Sequence, residues 1–493
     1  MQSNTKRITK ARNGTILELV VSSGLSSLNA ALNLQFTSNW DLASIKRNRE
    51  SNSSMIFLRY NITSNFFYNL ASTNNNQESN RSMLFPRYNR TTQKSFDLDD
   101  ILALDKPRLQ SCSYNSRNFW KFNHHIRDTP RLFNAVGHDD FLYLIISIKR
   151  DTCPSCNKGF SNLKNIHYRV TTNTSTGKIW YQANSVWKCP HGHTVIVEFH
   201  VPLLSAGSAN VHIQSPDKTI FWNDIPFCHD RTRQLREQFD LVSCTMIKLD
   251  GNETGSMLLP WILYHRMQGV EHFLIYTEYP ISSNQTEILR PLVEAGIVSL
   301  LNWLWPTKLG FSMQQAQQNS CLYQMRGISK WVALHDIDEF FVPLSQVRVV
   351  EFLQHPKNSV RAGIQTSSAY VHRNDVFPFQ LGDLKASNKR SKIFAHEREK
   401  CIVKPMNIHT FSVHSASWKE GQIHKVSSSN EMRLDHFKQG IQEELIFMEH
   451  KDPMRVDIQR LIELIQQYHL KVGNRTTADG NLINMTVRND NLF

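Results

Sequence analysis

No stretch of the 493 residues runs to about 20 consecutive apolar side chains, the length a helix needs to cross a bilayer. The most apolar early stretch, residues 15–34, is interrupted by Glu18, Asn29 and several serines, and it does not make a signal-peptide core either. The chain therefore reads as soluble, or as lacking its anchor at this N-terminus. There is no G-x-G-x-x-G and no P-loop, which disfavours dinucleotide binding and ATP hydrolysis. There is also no long run of Lys and Arg, although the formal net charge is +13. Basic residues scattered in this way do not make a nucleic-acid arm, but they suit an anionic small molecule such as a nucleotide.

What the chain does contain divides it into four parts. Residues 1–105 are rich in Ser, Asn, Thr and Arg, with a low-complexity run at 72–82, and read as a stem or disordered segment. Residues 106–237 carry short β-like runs, 141–148, 178–182 and 194–201, separated by Gly, Pro and Asn, and predict a β-rich domain, a sandwich. Residues 238–453 alternate strand and helix patterns: strands at 241–249, 272–276 and 297–301, and helices at 255–269, 288–295 and 312–326. That order predicts a mostly parallel sheet flanked by helices. Pro260 fits the first of these helices only in its first turn; Gly269 and Gly296 are stops. Residues 454–493 predict an amphipathic helix and a loose tail.

The eight cysteines are Cys112, Cys153, Cys156, Cys189, Cys228, Cys244, Cys321 and Cys401. Cys153, Cys156 and Cys189, with the histidines of C-P-H-G-H at 189–193, have spacing for a tetrahedral zinc site; disulfides are the competing reading. Ten N-x-S/T sequons and an even cysteine count lean toward an oxidising secretory lumen.

The chemistry concentrates at W-V-A-L-H-D-I-D-E-F-F-V-P, residues 331–343. Trp331 to Leu334 is an apolar run suited to a strand buried on both faces. Asp336, Asp338 and Glu339 follow at once, and Pro343 ends the next apolar run. Three acids at a strand's C-terminal end repel one another unless a cation sits among them. That end is also where open α/β sheets bind ligands. A hard divalent ion bridging to a diphosphate accounts for both facts.

The blocks C-T-M-I-K-L, W-I-L-Y-H-R-M-Q-G-V-E-H-F-L-I-Y, N-S-C-L-Y-Q and K-W-V-A-L-H-D-I-D-E-F-F-V-P, in this order, resemble glycosyltransferase family 92 over about residues 241–450. The resemblance implies a GT-A fold, a UDP-sugar donor with galactose as the hexose, Mn2+ or Mg2+ as cofactor, and an inverting transfer to a glycan acceptor. It also implies membrane association and the Golgi lumen.

Carried over by position, the resemblance makes Asp338 the most direct metal ligand. Asp336 touches ribose, metal or both, and Glu339 orients the loop. Tyr276 sits where uracil stacks, or it is a core aromatic. A late histidine completes the metal site, with His436 the first choice and His414 the second. Lys400, Lys404 and Arg398 are candidates for the diphosphate, or solvated surface. The catalytic base is one of Glu339, Asp375, Glu399 and Asp435. Two places depart from the family pattern: the region of Leu259 and Pro260, where an acid is usual, and Thr277, where Asp or Asn is usual. A non-catalytic carbohydrate-binding protein on the same fold is the rival reading. A metal-dependent nuclease is disfavoured by the scattered charge.

Overall fold

The computed structural model describes residues 5–11, 14–21, 41–47, 54–62, 97–103, 119, 131–147, 167–174, 177–189, 194–201, 207–214, 219–227, 238–247, 251–278, 283–303, 310–344, 347–370, 389–391, 395–437, 447–449 and 454–473. Residues 1–86 and 87–493 form separate compact units. In the first, strands Thr5–Ala11, Gly14–Val21, Asp41–Arg47 and Ser54–Ile62 make a four-stranded antiparallel sheet. The 72–82 run lies outside the described residues.

The second unit opens with a short helix, Leu98–Leu102, followed by two four-stranded antiparallel sheets. One holds Arg131–His138, Phe141–Ser147, Ser185–Lys188 and Thr194–His200. The other holds His167–Thr174, Gly177–Gln182, Gly207–Gln214 and Thr219–Phe227. Leu132, Ile145 and Val197 of the first and Val170, Val211 and Trp222 of the second share one core, the arrangement in which stacked sheets hide their apolar faces. Cys153 and Cys156 lie outside the described residues. Cys189 is a buried free thiol, so it takes no part in a disulfide.

The larger part is a nine-stranded mixed sheet. Its elements are β1 (Phe239–Ile247), α1 (Gly251–Met267), β2 (His272–Thr277), α2 (Ser283–Glu294), β3 (Val298–Asn302), α3 (Gly310–Gln324), β4 (Ser329–Leu334), β5 (Glu339–Pro343), β6 (Gly363–Tyr370), β7 (Ala395–Val403), β8 (Ile423–Lys425) and β9 (Met432–His436). The helix α4 (Met454–Gly473) closes the described chain. The strands run β3-β2-β1-β4-β7-β6-β9-β5, with β8 on β6. β3, β2, β1 and β4 are mutually parallel. β7 is antiparallel to both β4 and β6, and β5 is antiparallel to β9. The expected α/β class holds, but the sheet is mixed: beside that parallel four-strand run, β6 is parallel to β8 and β9, and the antiparallel pairings of β7 and β5 interrupt the order. The other sheets of the chain are antiparallel, because short connections such as those of the 131–227 strands can join only antiparallel neighbours.

This topology fixes where a ligand can bind. β1 has β2 on one side, reached through α1, and β4 on the other, reached after α3. The chain order thus reverses between β1 and β4, and the crevice beyond their C-terminal ends is the switch point of the sheet. β4 is buried on both faces as its composition requires: Val332 and Leu334 enter the core shared with α3, while Trp331 and Ala333 enter the core shared with α1. A disulfide between Cys244 of β1 and Cys321 of α3, with Cα atoms 6.5 Å apart, fixes the helix to the sheet.

Pro260 departs from expectation. It sits inside α1 rather than in its first turn, where it removes one helical hydrogen bond and crowds the preceding turn, at a cost of about 3 kcal/mol. Trp261, Ile262, Leu263 and Tyr264 beside it are fully buried, and each such side chain returns about 1.5–3 kcal/mol, so packing decides. The helix ends as expected at Gly269, which has φ +93°. A Cβ there would lie 2.3 Å from Cγ1 of Val350.

Candidate active site at the tip of β4

The turn between β4 and β5 carries Asp336 and Asp338, with side chains 37% and 27% exposed, whereas that of Glu339 is 1% exposed. The acids therefore have different tasks. Glu339 faces inward and holds the turn: the Asp336 N–H donates to Glu339 Oε2 at 2.9 Å, and the Glu339 N–H donates to the Asp336 carbonyl at 3.1 Å. The Glu339 carbonyl is gripped from behind by two groups. Trp261 Nε1 donates to it at 3.2 Å, and His335 Nδ1 lies 3.1 Å away. Since a carbonyl only accepts, His335 carries its proton on Nδ1, and its Nε2 accepts from the Ser243 hydroxyl at 2.9 Å. Tyr264 donates to the Phe341 carbonyl at 3.0 Å. The apolar block of α1 is thus also a scaffold that fixes the acid turn.

Lys400 of β7 is fully buried, and its ammonium lies 2.8 Å from Asp336 Oδ2 and 3.2 Å from Glu339 Oε2. Burial alone would pull the lysine down, but the two carboxylates outweigh it and hold it above the usual ammonium range. Burial pushes Glu339 up to about 7, with Lys400 acting in the opposite direction. Gln314 of α3 donates to the other oxygen of Asp336 at 3.1 Å.

Asp338 turns to β9. His436 Nε2 lies 3.3 Å from Asp338 Oδ2, and its Nδ1 faces Glu339 Oε1 at 3.7 Å. The main chain supports this pairing: Glu339 is in register with His436, and the Phe437 N–H donates to the Asp338 carbonyl at 2.8 Å. Burial draws the His436 imidazole down, but Asp338 and Glu339 leave it above its ordinary value.

A metal fits this pair. One carboxylate oxygen and one imidazole nitrogen 3.3 Å apart can both reach an ion at about 2.1 Å. A histidine whose second nitrogen faces a carboxylate is the orientation seen in metal ligands. That second nitrogen, Nδ1, and Glu339 Oε1 are both buried without a hydrogen-bond partner. Among the described residues no group of three His, Cys, Asp or Glu side chains converges to hold a metal. Asp336 is instead engaged by Lys400 and Gln314.

The remaining expected residues are placed as follows. His414 hydrogen-bonds through Nδ1 to the Glu399 carbonyl at 3.1 Å, and burial with the nearby Lys400 charge brings it down to about 4; His436, not His414, faces Asp338. Tyr276 is a core residue. Its ring is fully buried, edge-on to Trp303, and its hydroxyl donates to Gln324 at 3.1 Å, so it presents no face to a base. Lys404 lies at the far end of β7, with Nζ 5.2 Å from the Trp331 ring and bonded to the Ser359 carbonyl. It lies four residues along the chain from Lys400, about 13 Å in a strand, which removes it from the acid turn. Thr277 is buried at the end of β2, its hydroxyl 3.4 Å from the Leu301 carbonyl.

Of the candidate bases, Asp435 is fully buried and paired with Arg433 at 2.7 Å, and Glu339 is sealed as described. Glu399 is paired with Lys425 and lies 3.3 Å from the Ser367 hydroxyl. Asp375 lies outside the described residues. Sequence reasoning missed Gln314, Trp261, His335 and Ser243. The only available signal was that Trp261 and His335 belong to the quoted blocks.

The fold and turn together define an α/β protein with an acid-lined, partly exposed site at the switch point of its sheet. Residues 240–470 match the model of glycosyltransferase family 92. It is similar to a glycosyltransferase family 92 protein of Ricinus communis, 24% identical over 209 residues, which are 40% of this chain and 35% of the relative. A galactan beta-1,4-galactosyltransferase of Arabidopsis thaliana is 23% identical over 324 residues, 62% of each chain. A beta-1,4-galactosyltransferase of Caenorhabditis elegans is 23% identical over 221 residues, 42% of this chain and 51% of the relative. The matched stretches thus span from about a third to about three fifths of these relatives' lengths.

Proposed function

We propose that the chain is a metal-dependent, inverting glycosyltransferase of the GT-A type that moves galactose from UDP-galactose to a glycan acceptor. The observation that carries this reading is the pairing of Asp338 with His436 at the tip of β4, beside an Asp336 oriented by Lys400 and Gln314. The family match and the galactosyltransferase names of two relatives support the transfer class and the sugar. The Cys244–Cys321 disulfide and the sequons support an oxidising secretory compartment, the Golgi lumen. Among the described residues no helix is long and apolar enough to cross a membrane, and membrane association is carried over from the family resemblance alone.

Asp338 and His436 would hold a Mn2+ or Mg2+ ion, which when bound takes up the negative charge developing on the departing diphosphate. Asp336, half exposed and fixed in orientation, accepts hydrogen bonds from donor hydroxyls. Glu339 keeps the turn closed by accepting the Asp336 N–H. Lys400 offsets the charge of both acids, so that the turn folds before any ligand arrives.

The test is release of UDP by the purified chain from a panel of UDP-sugars with Mn2+. Turnover of UDP-galactose that is lost with chelator and lost in Asp338→Asn is the expected result. A folded wild-type protein that neither binds nor turns over any UDP-sugar refutes the reading.

A further inference from the structure

Asp336 differs from its neighbour Asp338 in one respect: both of its carboxylate oxygens are occupied by the protein itself. Gln314 Nε2 donates to Oδ1 at 3.1 Å and Lys400 Nζ donates to Oδ2 at 2.8 Å, while the Asp336 N–H is held by Glu339. The two donors come from different elements. Gln314 belongs to α3, which is fastened to β1 through Cys321. Lys400 belongs to β7, whose Cys401 is in register with Leu334 of β4. Neither donor is placed to act on a ligand directly. Lys400 is fully buried, and Gln314 is buried as well.

We propose that Lys400 and Gln314 are positioning residues that keep the Asp336 carboxylate off the Asp338–His436 pair and present it to the hydroxyls of the donor. This inference rests on the proposed function and goes beyond it. It divides the two aspartates of one short turn between two tasks and assigns the division to residues outside the turn. The physical basis is competition for one carboxylate. Asp336 is two residues from Asp338, and with its oxygens released its shortest route to charge compensation is the same cation. A third oxygen ligand strengthens cation binding, since affinity for hard ions follows the number of charged ligands. The same turn of the side chain withdraws the acceptor that the donor hydroxyls need. Loss of the clamp therefore moves two affinities in opposite directions, which loss of general stability does not do.

The experiment compares wild type, Lys400→Met and Gln314→Met. Mn2+ binding without donor is read by electron paramagnetic resonance, and KM and kcat for UDP-galactose are read at saturating Mn2+. Both variants are expected to bind Mn2+ more tightly, by about threefold or more. Donor KM should rise on the order of tenfold, the effect of one lost charge-assisted hydrogen bond, with kcat little changed. Lys400→Arg restores part of the donor affinity. A fall in kcat with unchanged Mn2+ affinity in Lys400→Met would mean that the lysine acts on the leaving diphosphate, and overturns the proposal. Parallel weakening of Mn2+ and donor binding, with a silent Gln314→Met, would leave only a structural role and also overturns it. If Lys400→Met does not fold, Gln314→Met decides alone: tighter Mn2+ with raised KM supports the clamp, and no change in either refutes it. A wild type that binds neither Mn2+ nor donor rejects the proposed function itself. A wild type that binds both, with variants that fail the pattern, rejects the clamp only.

Discussion

Asp435 separates a structural acid from a catalytic one. It is fully buried on β9, and its two oxygens receive the Arg433 guanidinium at 2.7 and 3.3 Å. Asp435→Asn keeps the shape and removes the carboxylate charge from beside a buried guanidinium. Breaking a buried pair from one side costs about 3–5 kcal/mol, a large share of the roughly 5–15 kcal/mol that holds a domain together. The expected result is a thermal midpoint lowered by several degrees and a lower denaturant midpoint, with kcat per folded molecule close to wild type below the transition. The double variant Arg433→Met with Asp435→Leu should recover most of the loss, because an apolar pair of similar volume often matches a buried ion pair. Thermal unfolding followed by fluorescence, with UDP release assayed on the same samples, measures both quantities. An Asp435→Asn protein with an unchanged midpoint and no turnover would refute the reasoning and make Asp435 the base.

Gly269→Ala places a Cβ at 2.3 Å from Val350 Cγ1 at φ +93°. The left-handed strain of about 1–2 kcal/mol and the overpacking of about 1–3 kcal/mol should add to a loss of roughly 2–5 kcal/mol in denaturant unfolding. Burial holds His265 down to about 3 and His272 down to about 4, against 6.5 for the ordinary group. Both are neutral in the folded state and take up protons on unfolding, so their stability contribution is whole above pH 6.5 and is lost as pH falls toward 4. At pH 5 each should cost about 2 kcal/mol, and a thermal midpoint flat between pH 7 and pH 5 would contradict this. Cys244→Ala with Cys321→Ala opens a loop of sequence separation 77. Stability should fall by about 2–4 kcal/mol, read as a shifted denaturant midpoint that reductant reproduces in the wild type.

The backbone order of residues 239–334 was legible because the strands there are apolar runs and two of the helices end at Gly269 and Gly296, which both take positive φ. The acid turn was legible for a related reason: carboxylates directly after a doubly buried strand have few places to go. What lay beyond reach was pairing across strands. Lys400 and Lys404 flank the same C-I-V run, yet the antiparallel register of β7 on β4 sends them to opposite ends of the sheet. Tyr276 was ambiguous because a strand buried on both faces offers an aromatic no exposed side, and only the position of Trp303 shows which face it fills. The polar stretch of α3 was legible as a helix, but not as a buried one. Its Gln and Asn side chains are buried, and Gln314, Gln315 and Asn319 bond to groups far away in sequence, Asp336, Ser412 and Phe411.

That helix also bears on how the protein can be cut and recombined. Its opposite side reaches the β-sandwich: the Tyr323 ring is 4.5 Å from that of Tyr143, the Arg326 guanidinium lies over both rings, and Asn319 donates to Cys189. The edge of the matched stretch near residue 240 is therefore not a limit of independent folding. An excised piece beginning there would leave one flank of α3 bare, and a chimera exchanging residues 240–470 between relatives would have to bring its own sandwich with it.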